Sequence, residues 1–179
     1  MGDDGAFWMS IDDFVFCFRA LYVCRIFDEN IWKRIGPISG TWKGQTAAGL
    51  PTKKFPSAQI SKNPHYGIRV TKKSTLFVEL SQNEKDEQRR AKNYIFFMVQ
   101  KNDGRRMTSN AANKLSGTSG APINSTSISG QVELVADSYP YTFSLMVSAY
   151  EQGCEGSYQL TMYCDDLNFE VIDNAEFDV

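Results

Sequence analysis

The chain has 179 residues, 42% of them apolar and 22% charged, a balance that suits one folded domain with an appendage and allows a sizeable core. Its net charge of -2 conceals an asymmetry: all 19 Lys and Arg fall at or before Lys114 among 11 acids, while the last 65 residues carry 10 acids and no base. No apolar run reaches the ~18 to 20 residues that a membrane-crossing helix needs, and Asp3 and Asp4 stand where a signal peptide would be basic.

The first element is predicted within "DGAFWMSIDDFVFCFRALYVC" (4–24). Ser10 can cap a helix starting near Ile11, with Asp12 and Asp13 at the positive end of its dipole. Ile11, Phe14, Phe18 and Leu21 follow the spacing of one face, and Val15, Phe16 and Tyr22 widen it. Such a helix requires cover on more than one side, from the rest of this chain or from another domain.

A connector rich in Gly and Pro follows, "GPISGTWKGQTAAGLP" (36–51), and then the apolar period becomes two. Seven runs, at 65–70, 75–82, 93–100, 128–136, 141–150, 157–164 and 168–172, read as strands, and an eighth is expected around 40–43. The pattern predicts a mainly β chain, an antiparallel eight-stranded sandwich preceded by an N-terminal α-helix. Residues 83–92, "NEKDEQRRAK", lack an apolar face and read as a solvated excursion; 102–127 read as one long polar loop. The basic first part and acidic last part either become neighbours in one fold or expose patches of opposite sign.

Reactive chemistry is sparse. His65 is the one histidine; no Gly-x-Ser-x-Gly turn accompanies it, no cysteine sits in an activating setting, and a structural role is expected. The glycines around Trp42 fit neither a P-loop nor a dinucleotide fingerprint. Cys17, Cys24, Cys154 and Cys164 show no C-x-x-C spacing and read as buried thiols in a reducing, cytoplasmic compartment, where the sequon Asn124-Ser125-Thr126 would be idle. Asp165 and Asp166 at a strand end, with Asp173 beyond, offer hard oxygens for calcium. Lys85, Arg89, Arg90 and Lys92, with Lys53, Lys54, Lys72 and Lys73, offer a surface for anionic phospholipid or acidic proteins. No nucleic-acid reading motif is present.

Five stretches carry a family resemblance. "DGAFWMSIDDF" resembles the segment closing the papain-like protease core of calpains, commonly D-G-E-F-W-M-S-F-x-D-F, and "RALYVCRI" its phytocalpain continuation. "GTWKGQTAAG" resembles the calpain G-x-W-x-x-G-x-[ST]-A-G-G motif, "KNPHYGIRV" its N-P-Q-[FY] strand and "TLFVELSQN" its L-x-Q strand. The resemblance covers about 3–83 and extends more weakly over 131–172.

It implies a division into a protease-core remnant at 1–27, a linker at 28–39, a C2-like calpain domain III sandwich at 40–173 and an acidic tail at 174–179. In that family the Cys, His and Asn of the triad lie upstream of such a segment, so the resemblance implies no catalytic residue here. Asp4 matches one aspartate of the family's calcium-binding D-G-E, but Ala6 stands where the glutamate would be. "TKKS" is basic where many calpains carry an acidic loop, while 85–92 match the family's basic segment. The expected role is a noncatalytic regulatory module of a calcium-dependent cysteine endopeptidase, packing on the protease core. The alternatives are an autonomous lipid- or protein-binding module, or a fragment of an active calpain.

Overall fold

The computed structural model describes residues 7–19, 24–54, 59–82, 93–109 and 112–173. Among these, ten antiparallel strands stack as two sheets. The first sheet holds β1 (Lys33–Trp42), β3 (Ser74–Gln82), β7 (Ser127–Leu134) and β9 (Gly156–Cys164) in the order β1-β9-β3-β7. The second holds β2 (His65–Val70), β4 (Tyr94–Gln100), β5 (Leu115–Thr118), β8 (Tyr141–Ala149) and β10 (Glu170–Asp173) in the order β10-β2-β8-β4-β5, with β6 (Ile123–Asn124) also on β4.

Alternation explains the core. In β3 every second residue from Ser74 is buried, so Leu76, Val78 and Leu80 point between the sheets, where Ile68, Phe97, Phe143 and Leu145 of the second sheet meet them. Burying each such side chain contributes about 1.5–3 kcal/mol.

All eight expected strands are present, but three expectations need correction. β1 starts at Lys33, seven residues before 40, because its pairing with β9 shifts register between Ile35 and Ile38. That bulge absorbs Gly36, at φ +121°, and Pro37, which would otherwise break a ladder. The stretch 102–127 is not one loop: β5 and β6 lie in it, held by backbone pairing to β4 rather than by an apolar face, with Leu115 and Ile123 exposed.

The third correction concerns α1 (Ile11–Cys17), which is capped by Ser10 as expected, its Oγ accepting the Asp13 N–H at 3.1 Å, but ends early. Phe18 is already extended, and none of the helix's residues is buried, so the expectation of buried thiols holds for Cys164 but not for the exposed Cys17 and Cys24 or the half-buried Cys154. Aromatic and β-branched residues are indifferent helix formers, and seven residues without packing cannot sustain a longer helix. Leu21 and Tyr22 lie outside the described residues.

The second sheet is covered on its outside too. Residues 47–54 with 59–63, and 102–109, cross it as two straps, so β4 and β8 are buried on both faces, and Ile60, Phe96, Met98, Met107 and Met146 form a small second core.

Candidate functional site

The motif residues of the sequence turn out to hold the sandwich together. Gly40 allows the Tyr158 ring to approach: a Cβ there would lie 2.3 Å from it. Trp42 packs against Tyr158, with ring centroids 4.7 Å apart, and its indole N–H donates to the Val147 carbonyl at 3.3 Å, tying the two sheets. Asn63 donates to the Gly49 carbonyl at 2.8 Å and accepts from the Ser148 hydroxyl at 3.1 Å, locking one strap to β8. Gln82 is buried; its amide donates to the carbonyls of Asn93 and Ser125 at 2.6 and 2.8 Å and accepts the Asn93 N–H at 3.1 Å. These bonds join Gln82 to Asn93, the described residues on either side of 83–92.

His65 is buried and fully engaged. Its Nδ1 lies 2.7 Å from the Asn63 carbonyl, and its Nε2 accepts the Met107 N–H at 3.1 Å, so the ring is neutral with its proton on Nδ1. Burial pushes its pKa down to about 4; the Asn63 carbonyl works the other way, and the Arg106 charge adds to the lowering.

Asp165 and Asp166 sit at the corner after β9. Asp165 Oδ1 accepts the Thr75 N–H at 2.8 Å. Asp166 is 1% exposed; its Oδ2 accepts from the N–H and hydroxyl of Thr71, and its Oδ1 from the Asn168 N–H at 3.0 Å. Burial alone would raise this carboxyl, but those donors and the charge of Lys72 outweigh it and hold the pKa below the usual range. Three protein donors therefore take three of the four or so lone-pair sites of this carboxylate. Asp173 lies at the end of β10, opposite Tyr66. Among the described residues no three His, Cys, Asp or Glu side chains converge as a metal-holding group.

Asp4, Lys85, Arg89, Arg90 and Lys92 lie outside the described residues. Lys72 and Lys73 are exposed on the β2–β3 turn. Lys53 and Lys54 are exposed on the strap over the second sheet, at a distance in the chain from that turn, and Lys54 pairs with Glu151 at 3.3 Å.

The arrangement that sequence reasoning missed is on the outer face of the first sheet. Phe27 stacks on Tyr163 of β9, centroids 3.9 Å apart and 8° from parallel, with Phe77 of β3 and Trp32 at its edges, 5.3 and 5.2 Å away. The Arg25 guanidinium lies 4.9 Å over the Phe77 ring and donates to Gln131 of β7 at 2.8 Å. The chain from 24 to 32, which is the connector between the helix and the sandwich, is therefore latched across β9, β3 and β7. A groove of about 270 Å³ runs beside it, lined by Cys24, Arg25, Phe27, Phe77, Glu79 and Tyr163 among others. On the other side of 20–23, the apolar residues of 7–18 except the half-buried Phe14 are exposed, Trp8 fully so and Phe16 91% exposed. The outward Phe77 and Tyr163, apolar where a solvent face should be polar, were the available signal.

The comparisons with known proteins agree with this geometry. The pattern for the calpain large subunit, domain III, matches residues 38–163, from just past the β1 bulge to Tyr163 in β9. The chain belongs to the calpain domain III family. Among curated proteins, domain III here is similar to the calpain-type cysteine protease DEK1 of Zea mays and the calpain-type cysteine protease ADL1 of Oryza sativa subsp. japonica, each 28% identical over 177 residues, which is 89% of this chain and 8% of the relative. A protein named calpain-like cysteine protease A in Dictyostelium discoideum is 28% identical over 149 residues, 82% of this chain and 21% of that one. The chain thus spans under a tenth of the plant relatives' length. Among solved structures, a carbohydrate-binding module from the Cellvibrio mixtus lichenase 5A overlays 55% of this chain and 63% of that one, with a TM-score of 0.29 and 13% identity. The helix, the latch and β10 lie outside the matched domain III residues.

Proposed function

We propose that this domain III is a noncatalytic regulatory module of a calpain-like cysteine protease, acting in the cytoplasm, and that the aromatic run at 7–18 with the latched connector is its docking surface for the protease core. The observation that carries this reading is the pairing of bare apolar side chains, Trp8 and Phe16 among them, with a connector fixed to the sandwich by Phe27 and Arg25. Exposed aromatics cost solvation unless a partner covers them, and a fixed connector gives that partner one orientation. Support for a noncatalytic role comes from His65, both of whose nitrogens are engaged with backbone groups.

The test mixes the purified chain with a calpain-type protease core that lacks its own domain III. The expected result is a stable complex that weakens on Trp8→Ala with Phe16→Ala. No complex, or casein hydrolysis by the chain alone that is lost on Cys17→Ala or Cys24→Ala, would overturn it.

A second reading, binding to anionic phospholipid, is favoured by the exposed Lys72 and Lys73 on the turn that carries the chain from β2 in one sheet to β3 in the other. It predicts salt-sensitive binding to phosphatidylserine vesicles that survives calcium chelation and weakens on Lys72→Glu with Lys73→Glu.

A further inference from the structure

The strap 102–109 is tied to its surroundings mainly by single hydrogen bonds, one of them from the Asp103 N–H to the Tyr141 hydroxyl of β8 at 3.2 Å. The Ser144 hydroxyl donates to the Arg105 carbonyl at 2.7 Å, the Gln100 amide to the Ser109 carbonyl at 2.9 Å, and Arg106 to the Ser61 carbonyl at 3.1 Å. Its one fully buried apolar anchor is Met107, and the backbone N–H of that same residue donates to His65 Nε2. We propose that His65 makes this strap an acid-released clasp: a proton on Nε2 sets N–H against N–H, ejects Met107 and uncovers an apolar patch of Phe96, Met98 and Met146 on the outer face of the second sheet.

The surroundings give an imidazolium no compensation. The ring's Nδ1 is committed to the Asn63 carbonyl, so the second proton can only go to Nε2, where a donor already points. The charged residues on elements around the ring are Asp103, Arg105 and Arg106 of the strap, the exposed Lys53 and Lys54 of the other strap, Lys62 of the turn before β2, Arg69 of β2, and Glu170 and Asp173 of β10, which pair opposite Arg69 and Tyr66. β4 and β8 contribute no charge. The charge that bears on the ring is that of Arg106, of the same sign as an imidazolium. In the released state the ring regains water and its ordinary affinity for a proton, so acid favours release.

Release should be local, because the ladders of β2, β8 and β4 do not pass through the strap, whereas the strap's own ties are mainly single side-chain hydrogen bonds. His65 also stands where the resembled N-P-Q-[FY] motif carries glutamine. A glutamine amide has one acceptor and one donor group but does not titrate, which makes His65→Gln the natural control.

Amide hydrogen exchange of the full chain, corrected for intrinsic rates, tests the clasp. Opening at the Met107 amide should rise about 30-fold between pH 7.5 and pH 5, as a group with pKa values near 6.5 open and about 4 closed requires. In His65→Gln the same amide should hold its protection, and the core amides of Val78 and Leu160 should hold theirs in both proteins. An equal rise in the glutamine variant, or core amides opening together with Met107, would overturn the clasp. Should His65→Gln not fold, the contrast between strap and core amides in the parent decides alone.

Discussion

Asp166→Asn separates a carboxylate that caps a turn from one kept for calcium. The parent side chain offers two accepting oxygens: Oδ2 takes the Thr71 N–H and hydroxyl, Oδ1 the Asn168 N–H. An asparagine amide has one oxygen, so it can serve Thr71 or Asn168, and its NH2 then confronts a backbone donor at a site 1% exposed. Losing hydrogen bonds to a charged acceptor costs ~1.5–3 kcal/mol each, and a total of about 3 kcal/mol follows. For a chain of this size that lowers Tm by about 6–12 °C in a calorimetric scan at neutral pH. The loss should depend on pH in a definite direction. The folded pKa of Asp166 is depressed, so its contribution is complete above the ordinary carboxyl pKa of 3.8 and disappears as pH falls through the lower folded value; parent and variant therefore converge in acid. Added calcium should leave the parent's Tm where it was, because three donors already take most of that carboxylate's lone-pair sites. A variant that melts with the parent, or a calcium-induced rise in the parent that Asp166→Asn abolishes, would refute the reasoning.

Other perturbations probe the remaining features. Gly36→Ala places a Cβ 2.6 Å from the Leu160 carbonyl oxygen at φ +121°, and urea denaturation should show a loss of about 3 kcal/mol or more. Phe27→Ala removes the ring stacked on Tyr163 and should cost about 2 kcal/mol; its clearer signature is faster tryptic cleavage after Arg25 with unchanged cleavage elsewhere in the native state. A thiol reagent at neutral pH should label the exposed Cys17 and Cys24 promptly, whereas Cys164, buried and with its pKa pushed up to about 11, should react only on unfolding.

The strands were legible because alternation is enforced wherever one face of a sheet meets a core, and β3 shows this most plainly. Where alternation failed as a guide, tertiary contacts had taken over. β4 reads "YIFFMVQ" and is buried at every position after Tyr94; such an uninterrupted run indicated a second cover, yet the covering straps are polar chain with no pattern of their own. Gly36 and Pro37 signalled a break, and the structure turned them into a bulge because β9 on one side can pair around it. The roles of Asn63, Gln82 and His65 were invisible, since each depends on partners brought in by folding, although the motifs that contain them were plain to see.

Phe27 shows why the candidate docking surface needed coordinates. In sequence it is one aromatic in a short polar stretch, and nothing local distinguishes it from Phe16 or Phe18. Folded, it closes a stack of Trp32, Tyr163 and Phe77 on a face where an isolated sandwich would present polar side chains. A free linker would have no use for those outward aromatics, and Arg25, reaching from the same stretch over Phe77 to Gln131, would have none for a guanidinium aimed back at the sheet. Both residues instead convert the chain from 24 to 32 into a strut. A strut sets orientation where a tether sets only proximity, so the chain at residue 24 meets the sandwich in one direction fixed by β3, β7 and β9.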